Sequence, residues 1–164
     1  KINEEMAEIF SRQYNISFIG LRFFTVYGEW GRPDMFLMKY LTSSYDKKSN
    51  FYLNNYGKHT RDFTYILDVS KIISKLVFSK KKLKHEIFNV CSNKPKRLTD
   101  IIKKINFLTL KKPKILKRKL QLADVIKTHG ANKEIKNFIG NQNFTSIDDG
   151  LKNTIEWFKW YYKT

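Results

Sequence analysis

Two arginines are the residues of this chain best suited to chemistry on an anion, Arg61 in the run RDFTY and Arg32 in GRPDM. A guanidinium presents a planar fork of donors that fits the paired oxygens of a phosphate or carboxylate, and it stays charged at every working pH. For Arg61 the competing reading is an internal pair with Asp62 or with another carboxylate, and for Arg32 it is a loop-stabilising surface role. Thr25 and Tyr27 are the other polar groups of the loop that carries Arg32. His59, His85 and His129 share no ligand spacing with one another or with Cys91, so no metal is expected. Cys91 lies in the apolar run HEIFNVC and reads as a small buried residue rather than a reactive thiol.

These side chains need elements to aim them. The stretch from Ile16 to Phe24 is apolar, rich in β-formers and closed by Thr25, and it gives way to a loop with two glycines, a Trp and a Pro. That is a buried strand delivering a loop, and in open α/β sheets ligands sit at such carboxyl ends. Upstream, Ile2, Met6, Ile9 and Phe10 recur at helical spacing from the first residues, with no capping residue before them. Downstream the pattern predicts a short helix over Phe36 to Tyr45, a strand over Asn50 to Asn55, and a turn to Lys58. Arg61 to Leu67 reads as a strand. Asp68 is expected to cap a helix that carries Val69, Ile72, Ile73, Leu76 and Val77 on one face. A strand over Glu86 to Cys91 and a helix capped by Thr99 follow. An exposed edge strand is expected near Lys111 to Leu120 and a helix over Asn132 to Ile139. The last helix starts at Ser146, with Leu151, Ile155, Phe158 and Trp160 to Tyr162 on its apolar side.

Composition bounds the function classes. The 164 residues are 41% hydrophobic and 15% aromatic, enough for one core and too apolar for a disordered chain. No apolar run is long enough to span a bilayer, and the amphipathic, acidic start does not read as a signal peptide. A single cysteine cannot form an internal disulfide, which fits a reducing cytoplasm. The net charge of +17 invites a nucleic-acid reading. The lysines, however, are dispersed from Lys39 to Lys163, with denser runs only at Ser79 to Lys84 and Lys111 to Lys119. A general bias toward Lys, Asn and Ile explains this pattern, with some attraction for anionic nucleotides. A non-catalytic basic binding module stays as the alternative from another class.

Three ordered blocks, LRFFTVYG, WGRPDM and YGKHTRDFTYI, resemble the second half of extended short-chain dehydrogenases/reductases that act on nucleotide sugars, most nearly the UDP-glucuronate 4-epimerases. The resemblance covers the whole chain, strongly to about Asn93 and thinly beyond. It implies an α/β fold, the C-terminal part of a Rossmann-type domain with its small substrate-binding lobe, spanning residues 1–164. It implies NAD as cofactor, a UDP-sugar as substrate, and a homodimer for the full-length enzyme. The implied reaction is 4-epimerisation of UDP-glucuronate to UDP-galacturonate through a 4-keto sugar, with a nucleotide-sugar 4,6-dehydratase as the enzymatic alternative. The Gly-rich βαβ turn and the Tyr-x-x-x-Lys pair of the family do not occur in these residues. KINEEM matches only the tail of that second signature, which would make Lys1 the residue after the catalytic Lys, or less readily that Lys itself. No catalytic residue is therefore assigned, and the fragment alone is expected to be inactive.

The resemblance also implies roles. Arg61 contacts the substrate diphosphate, Arg32 lies near the sugar carboxylate, and Thr25 is a substrate-side hydroxyl where many relatives carry Asn. Leu53 and Asn54 belong to the segment whose backbone reads the uracil edge. Asp124 accepts ribose hydroxyls, against the plain reading of a solvated loop carboxylate. Phe23 and Phe24 lie beside the nicotinamide and offer it their backbone, since two Phe in a strand are core residues first. Three departures loosen the loops at the substrate's edge: Glu29 for Pro, Leu67 for Asp, and Leu122-Ala123 for Pro-Gly.

Overall fold

The structure is a computed structural model that describes residues 1–46, 48–81, 84–140 and 142–164. Residues 82 and 83 of the basic run at Ser79 to Lys84 thus lie outside the described residues. The chain is mixed α/β, and its architecture rests on pairs of mostly parallel strands. Strand β1 (Phe18–Phe23) pairs in parallel with β6 (His85–Val90), from Phe18 opposite His85 to Phe23 opposite Val90. Parallel neighbours need a crossover, and this one contains α2 (Phe36–Tyr45) and α3 (Ile66–Val77). Strand β2 (Thr25–Tyr27) pairs in parallel with β5 (Phe63–Tyr65), β3 (Asn50–Leu53) with β8 (Lys114–Lys117), and β4 (Thr60–Arg61) antiparallel with β7 (Lys96–Arg97). Helices α1 (Ile2–Tyr14), α4 (Leu98–Thr109), α5 (Lys133–Ile139) and α6 (Ile147–Tyr162) complete the chain. None of the helices is long and apolar enough to cross a membrane among the described residues.

Two cores organise these elements. In the larger one, Leu151, Ile155 and Phe158 of α6 meet Ile101, Ile102 and Ile105 of α4, with Tyr40 and Leu41 of α2 and Phe51 of β3 beside them. The i, i+4, i+7 spacing on α6 is what puts its three residues on one side. The smaller core packs Val69, Ile72 and Leu76 of α3 against Phe88 and Val90 of β6 and Ile135 of α5. Ser146, where the last helix was expected to begin, caps α6, accepting from the Asp149 N–H at 3.1 Å and donating to its carboxylate at 2.6 Å. Cys91 is fully buried, and burial pushes its thiol up to about 11.

Several sequence expectations are corrected. The strand expected over Ile16 to Phe24 is shorter, and Thr25 opens β2 instead of closing β1, because its N–H bonds the Asp62 carbonyl at 3.1 Å and starts a second ladder. Arg61 to Leu67 is not one strand: it breaks at Asp62, and α3 begins at Ile66. Asp68 does not cap α3. It is buried in the first turn and accepts from the Thr145 N–H and hydroxyl at 2.7 and 3.0 Å, fastening the approach to α6. Thr99 does not cap α4, whose N-cap position is Arg97. Trp160, Tyr161 and Tyr162 are exposed, so the buried side of α6 ends at Phe158. Ile2, Met6, Ile9 and Phe10 do form one helix, but their side chains are exposed as well.

Candidate functional site

The largest group of sequence-assigned residues meets in one cleft of about 300 Å³. Thr25 enters it from the start of β2, Leu53 and Asn54 from the end of β3, Arg61 from β4, and Asp124 from the segment that follows β8. These residues are far apart in sequence, and backbone pairing is what joins them. The β3–β8 ladder places Leu53 opposite Lys117, and the Leu53 carbonyl then accepts the Arg118 N–H at 2.9 Å. Further along, Thr60 bonds the Ile126 carbonyl and the Thr128 N–H at 3.0 and 3.1 Å, so the stretch between carries Asp124 back across the cleft. Asn55 and Tyr56 take left-handed φ of 47° and 52° in the turn that closes this corner.

Arg61 is a partly buried cation with a fixed base. One of its terminal nitrogens donates to the carbonyls of Thr60 and Ile126 at 3.0 and 3.2 Å, and its remaining N–H groups have no protein acceptor among the described residues. Burial lowers its pKa from the ordinary range, and the nearby Asp124 charge opposes that shift. The alternative pairing with Asp62 does not form. Asp62 is fully buried and accepts from the Ser92 hydroxyl at 2.6 Å and the Gly130 N–H at 3.3 Å, behind the cleft. Gly130 must be glycine here, because a Cβ would lie 2.5 Å from both Cys91 Sγ and the Phe24 ring. Asp124 is likewise no free loop carboxylate: Asn54 Nδ2 donates to it at 3.3 Å.

Arg32 stands apart from this group. Its guanidinium is exposed and holds Asp34 through bonds of 3.0 and 2.6 Å, and it borders a smaller cavity of about 40 Å³ that shares Thr25, Met35, Phe36 and Phe63 with the main cleft. Asp34, not Arg32, lines the main cleft. The loop before it is pinned at Gly28, whose φ of 141° and 2.3 Å approach to Ile66 exclude a side chain. Glu29, which stands where Pro is usual, accepts from the Tyr65 hydroxyl at 2.5 Å and so ties the loop to β5.

Phe23 corrects a further expectation: it is 48% exposed at the carboxyl end of β1, because β1 has only β6 beside it among the described residues. Phe24 is partly buried near Cys91 and Gly130, and its carbonyl is taken by the Val26 N–H at 2.9 Å. Sequence reasoning missed His59, Lys39 and Tyr52, all of which line the cleft. Tyr52 carries the Arg118 guanidinium 3.5 Å above its ring. The alternation in Asn50 to Leu53, with Phe51 and Leu53 buried, is the signal that could have turned Tyr52 outward. No pattern marked His59. Among the described residues no three His, Cys, Asp or Glu side chains gather so as to hold a metal ion.

A cleft joining an arginine fork, a carboxylate, an amide and an aromatic ring can bind a ligand with a negative centre and a polar, planar end. The NAD dependent epimerase/dehydratase family pattern matches residues 2–91. An uncharacterized protein of Methanocaldococcus jannaschii is 40% identical over 157 residues, 95% of this chain and 47% of that protein. A UDP-glucuronate 4-epimerase of Arabidopsis thaliana is 33% identical over 177 residues, 99% of this chain and 41% of that protein. The chain thus spans about half the length of the curated relatives it matches. Among solved structures, the UDP-glucuronic acid 4-epimerase of Bacillus cereus in complex with UDP-glucuronic acid and NAD superimposes with a TM-score of 0.90 at 24% identity, over 97% of this chain and 50% of that one. The fold is therefore that of the Rossmann-type epimerases, and this chain belongs to the NAD dependent epimerase/dehydratase family.

Proposed function

We propose that the chain is the substrate-gripping part of an NAD-dependent nucleotide-sugar 4-epimerase, with UDP-glucuronate and UDP-galacturonate as the interconverted pair. One observation carries the reading: Thr25, Leu53, Asn54, Arg61 and Asp124 converge on one cleft in which Arg61 keeps donors for a ligand. In this role Arg61 holds the diphosphate, Asp124 and Asn54 the ribose and base side, and Thr25 the sugar. Such a grip lets the pyranose turn while its nucleotide stays fixed, which an epimerase needs because both faces of C4 must be presented in turn.

NAD, when bound, would supply the hydride acceptor and donor for C4. The residues present fit one end of that cofactor only. Phe23 offers an exposed aromatic face at the carboxyl end of β1, where a planar ring can lie, whereas the Gly-rich turn that would hold the pyrophosphate does not occur in these residues. Proton transfer at the C4 hydroxyl likewise needs the Tyr of the family signature, so by itself the chain is expected to bind without turnover. A homodimer of the whole enzyme is part of the same reading.

Calorimetric titration of the chain with UDP-glucuronate, UDP-glucose and inorganic pyrophosphate tests it. Saturable binding of both UDP-sugars and not of pyrophosphate is expected. Absence of UDP-sugar binding, or equal binding of pyrophosphate, would overturn the assignment of the cleft, and turnover of UDP-glucuronate by the chain with added NAD would show that the chemistry is misplaced.

A further inference from the structure

His59 is a buried imidazole on the wall of the cleft that the reading above leaves without a role. Only 3% of the residue is exposed, and its Nε2 has no hydrogen-bond partner among the described residues, although it is a polar atom cut off from bulk solvent. The residue is anchored through its backbone, its carbonyl accepting the Leu98 N–H at 3.0 Å. Its open Nε2 faces the Asp124 carboxylate at 3.9 Å, too far for a hydrogen bond and close enough for a charge interaction. A buried nitrogen without a partner costs free energy unless something supplies one. The position beside Arg61 says what chemistry would do so.

We propose that His59 is a proton-linked contact for the diphosphate, taking up a proton when a nucleoside diphosphate settles against Arg61. The inference rests on the nucleotide-sugar reading of the cleft. The charged groups around the ring are Arg61, two residues on in β4, and Asp124 from the segment after β8. Further around the cleft stand Asp34 and Lys39, and Thr60 next to His59 pairs with Arg97 of β7 and Lys127. Burial lowers the pKa of the ring first and the Arg61 charge second, while the Asp124 charge opposes them. A diphosphate changes both sides of this balance. Its negative charge cancels the repulsion from Arg61, and its oxygens are acceptors only, so Nε2 can meet them solely as an N–H donor. The protonated ring presents an N–H at Nε2 whichever tautomer the neutral ring has, and a phosphate oxygen that accepts from it both satisfies the orphan atom and forms a charge-assisted bond.

The sign follows directly. The pKa of His59 is higher with ligand bound than without, so affinity rises as pH falls through the bound-state pKa and levels off below the free-state one. UDP-glucose is the suitable probe, because a diphosphate esterified at both ends has no proton that titrates near neutrality. Titration calorimetry in buffers of different ionisation enthalpy should show proton uptake near pH 6.5, and roughly tenfold tighter binding at low pH for each pKa unit gained. His59→Gln, which keeps a neutral polar side chain, should bind with no proton uptake and little pH dependence. NMR titration of the His59 ring in the unaltered chain, with and without UDP-glucose, gives the same answer without a substitution. An unchanged ring pKa on binding, or a His59→Gln variant with the original pH slope, would overturn the role of His59 alone. Absence of UDP-glucose binding at every pH would overturn the cleft assignment and this inference together.

Discussion

The two sides of the molecule are held together by different forces. Around the cleft, α2, α4 and α6 close on β3 and β5 with side chains such as Tyr40, Leu41, Ile101 and Ile105 fully buried. On the β1–β6 side, α1 has no such seam. Its Ser11 hydroxyl donates to the Lys84 carbonyl at 3.1 Å, and Arg22 of β1 grips Glu4 through two bonds of 2.7 and 2.6 Å, while Ile2 and Ile9 are 73% and 60% exposed. Exposed ion pairs contribute little and are screened by salt, whereas buried apolar area is the main stabilising term. The side that lines the cleft therefore carries its own driving force for folding. The sheet side depends on the strand ladder and on α3 and α5.

The sharpest way to break this contrast is to truncate one large side chain on each side. Phe158→Ala removes a 2% exposed ring from the larger core and should cost about 3–5 kcal/mol in urea denaturation, whereas Met6→Ala on the exposed face of α1 should stay within about 0.5 kcal/mol. Similar losses for the two variants would mean that the cores are equivalent after all. Next in size is Arg61→Ala, which should weaken binding of every UDP-sugar by about 2–5 kcal/mol in calorimetry, with the thermal midpoint nearly unchanged. A loss of folding instead would assign Arg61 to the scaffold through its bonds to Thr60 and Ile126.

Asp68→Ala probes the seam between the two sides, since α3 belongs to the smaller core and α6 to the larger. It strands the Thr145 N–H and hydroxyl and should cost about 1–3 kcal/mol. Two separate unfolding transitions in that variant would show that this carboxylate couples the cores. The smallest effect is expected from Arg32→Ala. Its guanidinium is engaged with Asp34, so the substitution should reduce affinity for UDP-glucuronate only modestly and leave UDP-glucose unaffected. Equal losses for both sugars would return the substrate to a nucleotide sugar of unspecified kind.

How much of this could be read from the residues follows the same division. Elements with strong periodicity and their own core were legible: α2 and α6 stand where spacing put them. Arg61 and Asp124 were singled out through the resemblance, and the bonds of Thr60 to Ile126 and Thr128 are what bring them to one cleft. Asp68 was misjudged because an Asp at a helix start looks like a cap, and its actual partner lies 77 residues away. Phe23 was misjudged because β-forming type says nothing of which strand edge is covered. His59 was invisible because a single histidine in a basic turn gives no spacing signal. Its meaning comes from burial and from the distance to Asp124.

The bonds that join Arg61 and Thr60 to Ile126 have a consequence for recombination between relatives. The stretch from Arg118 to Thr128 looks like an exchangeable surface connection, yet it delivers Asp124 and also supplies the carbonyl on which the Arg61 guanidinium rests. On the proposed reading of the cleft, a graft or a one-residue insertion there would shift nucleotide preference and phosphate grip together. Natural variation in its length is therefore expected to be inherited as a block with the strand that bears Arg61, and chimaeras that separate the two should lose the ligand while retaining the fold.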